Sequence, residues 1–184
     1  MALSDTILVL NQMVADGVIR QYAIGGAWAA IYYAEPVMTE DLDVLISFDD
    51  VSGADRPGLV LLTPILTYLA AKGYSDFQKE GLSIEGWPVQ FLPVADALDA
   101  EALEQAQQVD LGGVSAWILR PEHLVATALK VGRAKDLVRV AQFLEQELVE
   151  TDRLCTVLKK HGLSEEWSTF CVGTGMRNPC RDVS

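Results

Sequence analysis

Apolar and polar residues recur along this chain with two different periods, and the changes of period divide it into elements. From Leu3 to Gly17 the apolar positions return every three or four residues, as in an amphipathic helix ending near Gly17. The apolar run Tyr22-Ala23-Ile24 then reads as a short strand. A Gly25-Gly26 turn follows, then a helix from Ala27 to about Ala34, a loop with Pro36, and a second strand over Asp41-Leu42-Asp43-Val44-Leu45-Ile46. FDDVSGADRPG is polar and rich in turn residues, so it reads as a loop in which Asp49, Asp50 and Asp55 are solvated. Thr63-Pro64 opens a helix that ends near Gly73, with proline at the first helical position. SDFQKEGLSIEGWPVQFLPV gives two or three short strands, separated at Gly81 and at Gly86-Trp87-Pro88. ALDAEALEQAQ reads as a short helix, and QVDLGGVSAWIL as a further strand or hairpin. From Pro121 the period is helical through PEHLVATALKVGR, AKDLVRVAQFLEQEL and TDRLCTVLKKHG, while TFCVGTGMRNPCRDVS shows no clear period.

Strands and helices thus mix in the first two thirds, and helices fill the rest. The pattern predicts an α+β (mixed α/β) fold, a mixed sheet flanked by helices with a helical C-terminal portion. The expected organisation is a sheet domain over 1–118, C-terminal helices packed on it over 119–165, and an irregular tail over 166–184.

Composition narrows the partners. The 184 residues are 50% hydrophobic and 22% charged, an ordinary globular balance. No run of about eighteen apolar residues occurs, so no membrane span is expected. The first 22 residues, with Asp5 and polar breaks, read as an amphipathic helix rather than a signal peptide. Cys155, Cys171 and Cys180 match no zinc spacing, and an odd number suits a disulfide framework poorly; free thiols in a cytoplasmic chain are expected. A formal charge of −12 works against broad binding to nucleic acid. Even so, one group of basic residues clusters: Lys130, Arg133, Lys135 and Arg139.

The candidate chemistry lies between Gly25 and Ile46. Residues two apart on a strand share a face, so Asp41 and Asp43 project together while Leu42 and Val44 face the core. Paired carboxylates repel unless a cation stands between them, and a hard, oxygen-seeking ion such as Mg2+ is the natural partner. The glycines stand where a helix begins, where free backbone N–H groups and the helix dipole favour an anion. Either feature alone is weak: many turns use glycine, and edge strands carry solvated acids. Together they offer a phosphate cradle and a metal clamp joined by one helix. The histidines are less informative. His123 at a helix start and His161 at a helix end read as structural. Trp28 and Tyr32, four apart on a helix, read as core.

Ile24-Gly25-Gly26 followed by Asp41-Leu42-Asp43-Val44 resembles the signature of the DNA polymerase beta-like nucleotidyltransferase superfamily. Thr39-Glu40 before the acids resembles the form seen in its small bacterial AbiEii-like branch. Downstream, Leu129-Lys130 and Gly132-Arg133-Ala134-Lys135-Asp136 resemble that branch's helical segment of basic residues followed by an acid. The similarity runs from about Tyr22 to Leu144. It implies a nucleotidyltransferase-like sheet that binds a nucleoside triphosphate with Mg2+ (or Mn2+) and moves a nucleoside monophosphate to an acceptor hydroxyl. By the resemblance, Gly25, Gly26, Thr39, Arg133 and Lys135 contact the nucleotide, and Asp41 and Asp43 hold the metal. Lys130 meets the phosphates and Asp136 lies near the site.

The chain also departs from the family's pattern. Many members carry a third acid on a later strand; the matching strand here is Pro88-Val89-Gln90-Phe91-Leu92, and its site-facing position is Gln90. Val37 and Arg139 stand where an arginine and an aspartate often occur. A second reading therefore stays open: a nucleotide-binding or toxin–antitoxin-type regulatory protein of the same fold with impaired turnover. The acidic balance favours a protein or small-molecule acceptor over RNA, and a protein partner fits the regulatory reading.

Overall fold

The computed structural model describes residues 3–34, 41–48, 62–78 and 80–182. The chain divides into two units, Met1–Ala29 with Val37–Leu119, and Ala30–Pro36 with Arg120–Ser184, and each is described by itself.

Among its described residues the first unit has seven strands: β1 (Gln21–Ile24), β2 (Leu42–Ser47), β3 (Phe77–Gln78), β4 (Gly81–Ile84), β5 (Trp87–Pro93), β6 (Gln107–Leu111) and β7 (Val114–Ile118). They form one sheet in the order β3-β4-β5-β2-β1-β7-β6. β2 runs parallel to β5 and β1 parallel to β7, while the other neighbours are antiparallel. This is the mixed sheet that the pattern predicts. Tight turns set its register. β4 and β5 are joined by Glu85-Gly86 at φ 49 and 83, and β6 and β7 by Gly112-Gly113 at φ 67 and 85. Two successive positive φ values give a turn whose twist matches the strands. Trp87 and Pro88 lie inside β5, so the break expected at Gly86-Trp87-Pro88 is confined to Glu85-Gly86.

β2, which begins just after Asp41 and carries Asp43, is central in the sheet, and its face opposite Asp43 is apolar. Leu42, Val44 and Ile46 are fully buried there, as is Ile24 of β1, the partner of Val44. Helix α1 (Leu3–Ala15) buries Thr6, Ile7, Leu10 and Met13, the stripe its period predicts. The Thr6 hydroxyl donates to the Ile84 carbonyl at 3.0 Å, and Asn11 Nδ2 to the Ser115 carbonyl at 2.8 Å. Helix α2 (Gly26–Tyr33) follows β1, and α3 (Thr63–Ala71) buries Ile65 and Leu69. The Asp96 carboxylate caps α4 (Ala97–Glu104) by accepting from Leu98 N and Asp99 N, so its role is a helix cap.

The second unit holds α5 (Pro121–Val131), α6 (Ala134–Glu145), α7 (Thr151–Lys160), α8 (Ser164–Thr174) and a 3-10 helix over Pro179–Asp182. The buried carboxylate of Glu122 on α5 accepts from the Glu150 N–H at 2.8 Å and so caps the start of α7. His123 is fully buried. Two expectations are corrected here. The stretch from 166 is not an irregular tail: Trp167, Phe170 and Cys171 form a buried stripe on α8, with Trp167 Nε1 donating to Asn178 Oδ1 at 2.9 Å. Nor are the thiols all free. Cys155 and Cys180 form a disulfide, and Cys171 is a buried thiol outside it. With that bond the cysteine content no longer argues for a reducing compartment. Among the described residues no helix is long and apolar enough to cross a membrane.

Candidate functional site

The sheet brings Gly25, Gly26, Asp43 and Gln90 together. Antiparallel pairing sets Ile24 opposite Val44, and the Gly25 N–H donates to the Asp43 carbonyl at 2.9 Å. The chain then turns at once into α2, with Gly26 at φ +57. A Cβ built on Gly26 would stand 1.8 Å from Oδ2 of Asp43. Only glycine fits there, for both backbone and space. The absent side chain lets the carboxylate lie against the first residue of a helix, where free N–H groups stabilise negative charge. Gly25 is less constrained, since a Cβ there would approach Leu119 Cδ1 at 3.2 Å, a flexible atom.

On the other side of β2, parallel pairing places Asp43 in register with Gln90 of β5. Neighbours in register share a face of the sheet, so Gln90 holds the position at which the family resemblance expects a third acid. A carboxylate does approach it from elsewhere. Gln90 Nε2 donates to Glu80 Oε2 at 3.4 Å. Glu80 sits in the turn before β4, and Gly81 brings that turn onto β5. A Cβ on Gly81 would lie 2.9 Å from Val89 N and 3.0 Å from the Pro88 carbonyl carbon, contacts with backbone that cannot yield. Asp41, Gln78, Glu80, Gly81 and Gln90 line a cavity of about 180 Å³. Glu80 is the residue sequence reasoning missed. It lies in a turn, off the β5 position where the acid was sought, and its one sequence signal is the neighbouring Gly81.

The donors suit a hard cation. Among the described residues, the cavity lining carries the carboxylates of Asp41 and Glu80, the amides of Gln78 and Gln90, and no basic group. Among the described residues no three His, Cys, Asp or Glu side chains converge as a complete metal cage. Mg2+ does not need one, because it is commonly held by one or two carboxylates with water and substrate phosphates. Asp41, just before β2, lines this cavity, whereas Asp43 on β2 is not part of its lining.

The basic segment belongs to the second unit. Lys130 lies on α5 and Asp136 on α6, so Lys130, Arg133 and Asp136 are not on one continuous helix. Gly132 takes a left-handed conformation at φ 68 that ends α5, and α6 restarts at Ala134. Lys130 and Lys135 are exposed. Asp136 is 3% exposed and is held by Arg133 Nε at 2.6 Å and Arg139 Nη1 at 3.6 Å. Its carboxylate joins the start of α6 to the next turn, a structural use of the residue that the resemblance placed near the site. Arg139, at the family's aspartate position, is one of its two partners. Thr39, Val37 and the loop acids Asp49, Asp50 and Asp55 lie outside the described residues.

No protein-family model matches the chain, and no curated protein matches it. Among the solved structures that do match is an antigenic nucleotidyltransferase-like protein from Paracoccidioides brasiliensis. The TM-score is 0.56 at 15% sequence identity, over 90% of this chain and 91% of that one. The chain therefore has a nucleotidyltransferase-like fold.

Proposed function

We propose that this chain is a Mg2+-dependent nucleotidyltransferase that moves a nucleoside monophosphate from a nucleoside triphosphate to an acceptor hydroxyl. The observation that carries the reading is the seat of Asp43, pressed against Gly26 at the start of α2 and in register with Gln90. The nucleotidyltransferase-like fold of the chain supports the same class.

In this reading the start of α2 at Gly26 receives the triphosphate, since N–H groups at a helix start bind phosphate well, and Gly25 shapes the turn while its own N–H stays with the Asp43 carbonyl. Asp41 and Asp43 hold the cation, which supplies charge neutralisation for the phosphates and the leaving group when bound. The acceptor oxygen bonds to the α-phosphorus, the bond to the β-phosphate oxygen breaks, and pyrophosphate leaves with that electron pair. The hydroxyl proton passes to a carboxylate. Gln90 cannot take it, because an amide is not a base at neutral pH; Glu80, hydrogen-bonded to Gln90 in the same cavity, is the group assigned to it. The acceptor is a protein or a small molecule rather than RNA, on the ground of the −12 charge.

Gln90 beside Asp43 favours a second reading, a protein that binds the nucleotide for regulation and turns it over poorly. One experiment separates the two. Incubation with an α-phosphate-labelled nucleotide, Mg2+ and a panel of hydroxyl acceptors labels an acceptor in the wild type and none in Asp41→Asn/Asp43→Asn if transfer occurs. Metal-dependent binding without label or pyrophosphate favours regulation, and absence of binding overturns both readings.

A further inference from the structure

The second unit carries a groove that the nucleotide reading does not use. It has a volume of about 730 Å³ and lies among the C-terminal end of α5, α6 and α8. Ligand pockets commonly fall between about 300 and 1,000 Å³. Its walls are apolar: Leu129, Leu137, Val138, Ala141 and Phe170. Val138 is 60% exposed there, an apolar residue that α6 leaves in water.

Gly173 and two glutamates give the groove its character. Gly173 lies in the last turns of α8, where glycine weakens a helix relative to alanine. It is not among the residues with positive φ, so the backbone does not require it. Nor does packing, because a Cβ built there meets nothing within 4 Å. The effect of the glycine is to keep the groove wall open. Among the described residues the lining contains two charged ones, Glu165 and Glu166, and no lysine or arginine. Both acids are exposed and stand in the first turn of α8, at one end of the groove.

We propose that this groove binds a small apolar molecule carrying one positive charge, its hydrophobic body along Phe170 and Val138 and its cation beside Glu165 and Glu166. Charge complementarity selects this occupant. A carboxylate or phosphate headgroup meets two acids, and a second copy of a chain with charge −12 meets its own repulsion. The inference does not depend on the nucleotide site.

Titration calorimetry on the full chain with three probes of equal chain length tests it: octyltrimethylammonium, octyl glucoside and octanoate, all below their micelle concentrations. The expected result is one saturable site for the ammonium probe, about tenfold weaker binding of the glucoside, and no binding of octanoate. Gly173→Leu fills the groove and weakens the ammonium probe by about tenfold or more, with an unchanged or higher melting temperature. Glu165→Gln/Glu166→Gln removes the preference for the cation while leaving the glucoside unchanged. Equal binding of all three probes, saturable binding of none, or a Gly173→Leu variant with full affinity overturns the proposal. So does a concentration-dependent dimer in sedimentation that Gly173→Leu abolishes, since the occupant is then a second copy.

Discussion

The carboxylate of Asp43 occupies the space that a side chain on Gly26 would need: a Cβ at Gly26 would stand 1.8 Å from Asp43 Oδ2. The two residues are 17 positions apart in sequence, and the β1–β2 pairing makes them neighbours. Gly26→Ala therefore has two effects. The residue must hold φ +57, which costs about 1 kcal/mol for a residue with a Cβ, and it must displace the carboxylate. The expected outcome is a folded protein, slightly less stable, whose Mg2+-dependent nucleotide affinity falls by more than about tenfold. Calorimetric titration with Mg2+ and nucleotide checks this against Gly25→Ala, where the facing Leu119 side chain can yield and the loss is smaller.

Gln90→Glu places a carboxylate in register beside Asp43. Added ligand charge strengthens binding of a hard cation. Mn2+ affinity, read from the electron spin resonance signal of the free ion, is expected to rise by about tenfold. An unchanged affinity would show that the face Gln90 shares with Asp43 is not the metal face.

Asp136 is a buried carboxylate shared by Arg133 and Arg139. Removing one partner of a buried ion pair leaves charge without compensation. Arg133 is well exposed, which reduces the penalty, so Asp136→Ala is expected to lower stability by about 2 kcal/mol. Urea unfolding measures it. A variant with wild-type stability and no transfer activity would instead assign Asp136 to the chemistry.

Tyr22 gives the fold a pH limit. Burial pushes its hydroxyl up to about 12 from an ordinary value of 10. A group raised in the folded state stabilises fully below its unfolded value and loses that contribution as pH climbs to the folded one. Stability is thus expected to fall between about pH 10 and 12. Tyr22→Phe should flatten that part of the profile, as thermal melting in this range would show. The variant also loses the hydrogen bond to Asn11 Oδ1 at 2.8 Å, so its stability at neutral pH drops modestly.

The Cys155–Cys180 bond closes a loop with a sequence separation of 25. In the chain-entropy picture such a loop contributes about 3 kcal/mol. Cys180→Ser, or reduction by dithiothreitol, is expected to lower the denaturation midpoint of the second unit by a corresponding amount. An unchanged midpoint would mean that the thiols are reduced in the purified protein.

Much of this was legible in the sequence, for physical reasons that differ by element. The period of α1 and the alternation of Leu42, Val44 and Ile46 survive in the fold because one face of each is buried. The Gly25-Gly26 turn could be read from the change of period, and Gln90 as the neighbour of Asp43 only through the family resemblance. Glu80 could not. It reaches Gln90 through a turn, and the feature that brings it there is a backbone contact at Gly81, which leaves no periodic trace. The helix α8 was missed because its buried positions, Trp167, Phe170 and Cys171, run into Gly173 and Gly175. The disulfide was missed because an odd number of cysteines says nothing about which two the fold brings together. The break between α5 and α6 at Gly132 was written in the glycine, but its left-handed conformation is settled only in the fold.

The most direct test of the central claim is thermal melting with each of ATP, CTP, GTP and UTP, with and without Mg2+, on the wild type and on Asp41→Ala/Asp43→Ala. A ligand that binds the folded state raises the melting temperature, by an amount that grows with the logarithm of its concentration above Kd. The account predicts a rise with at least one nucleotide that requires Mg2+ and disappears in the double variant, whose own melting temperature without ligand stays close to that of the wild type. No rise with any nucleotide, or a rise that the double variant retains, would contradict a nucleotide and metal site at Gly25, Gly26, Asp41 and Asp43.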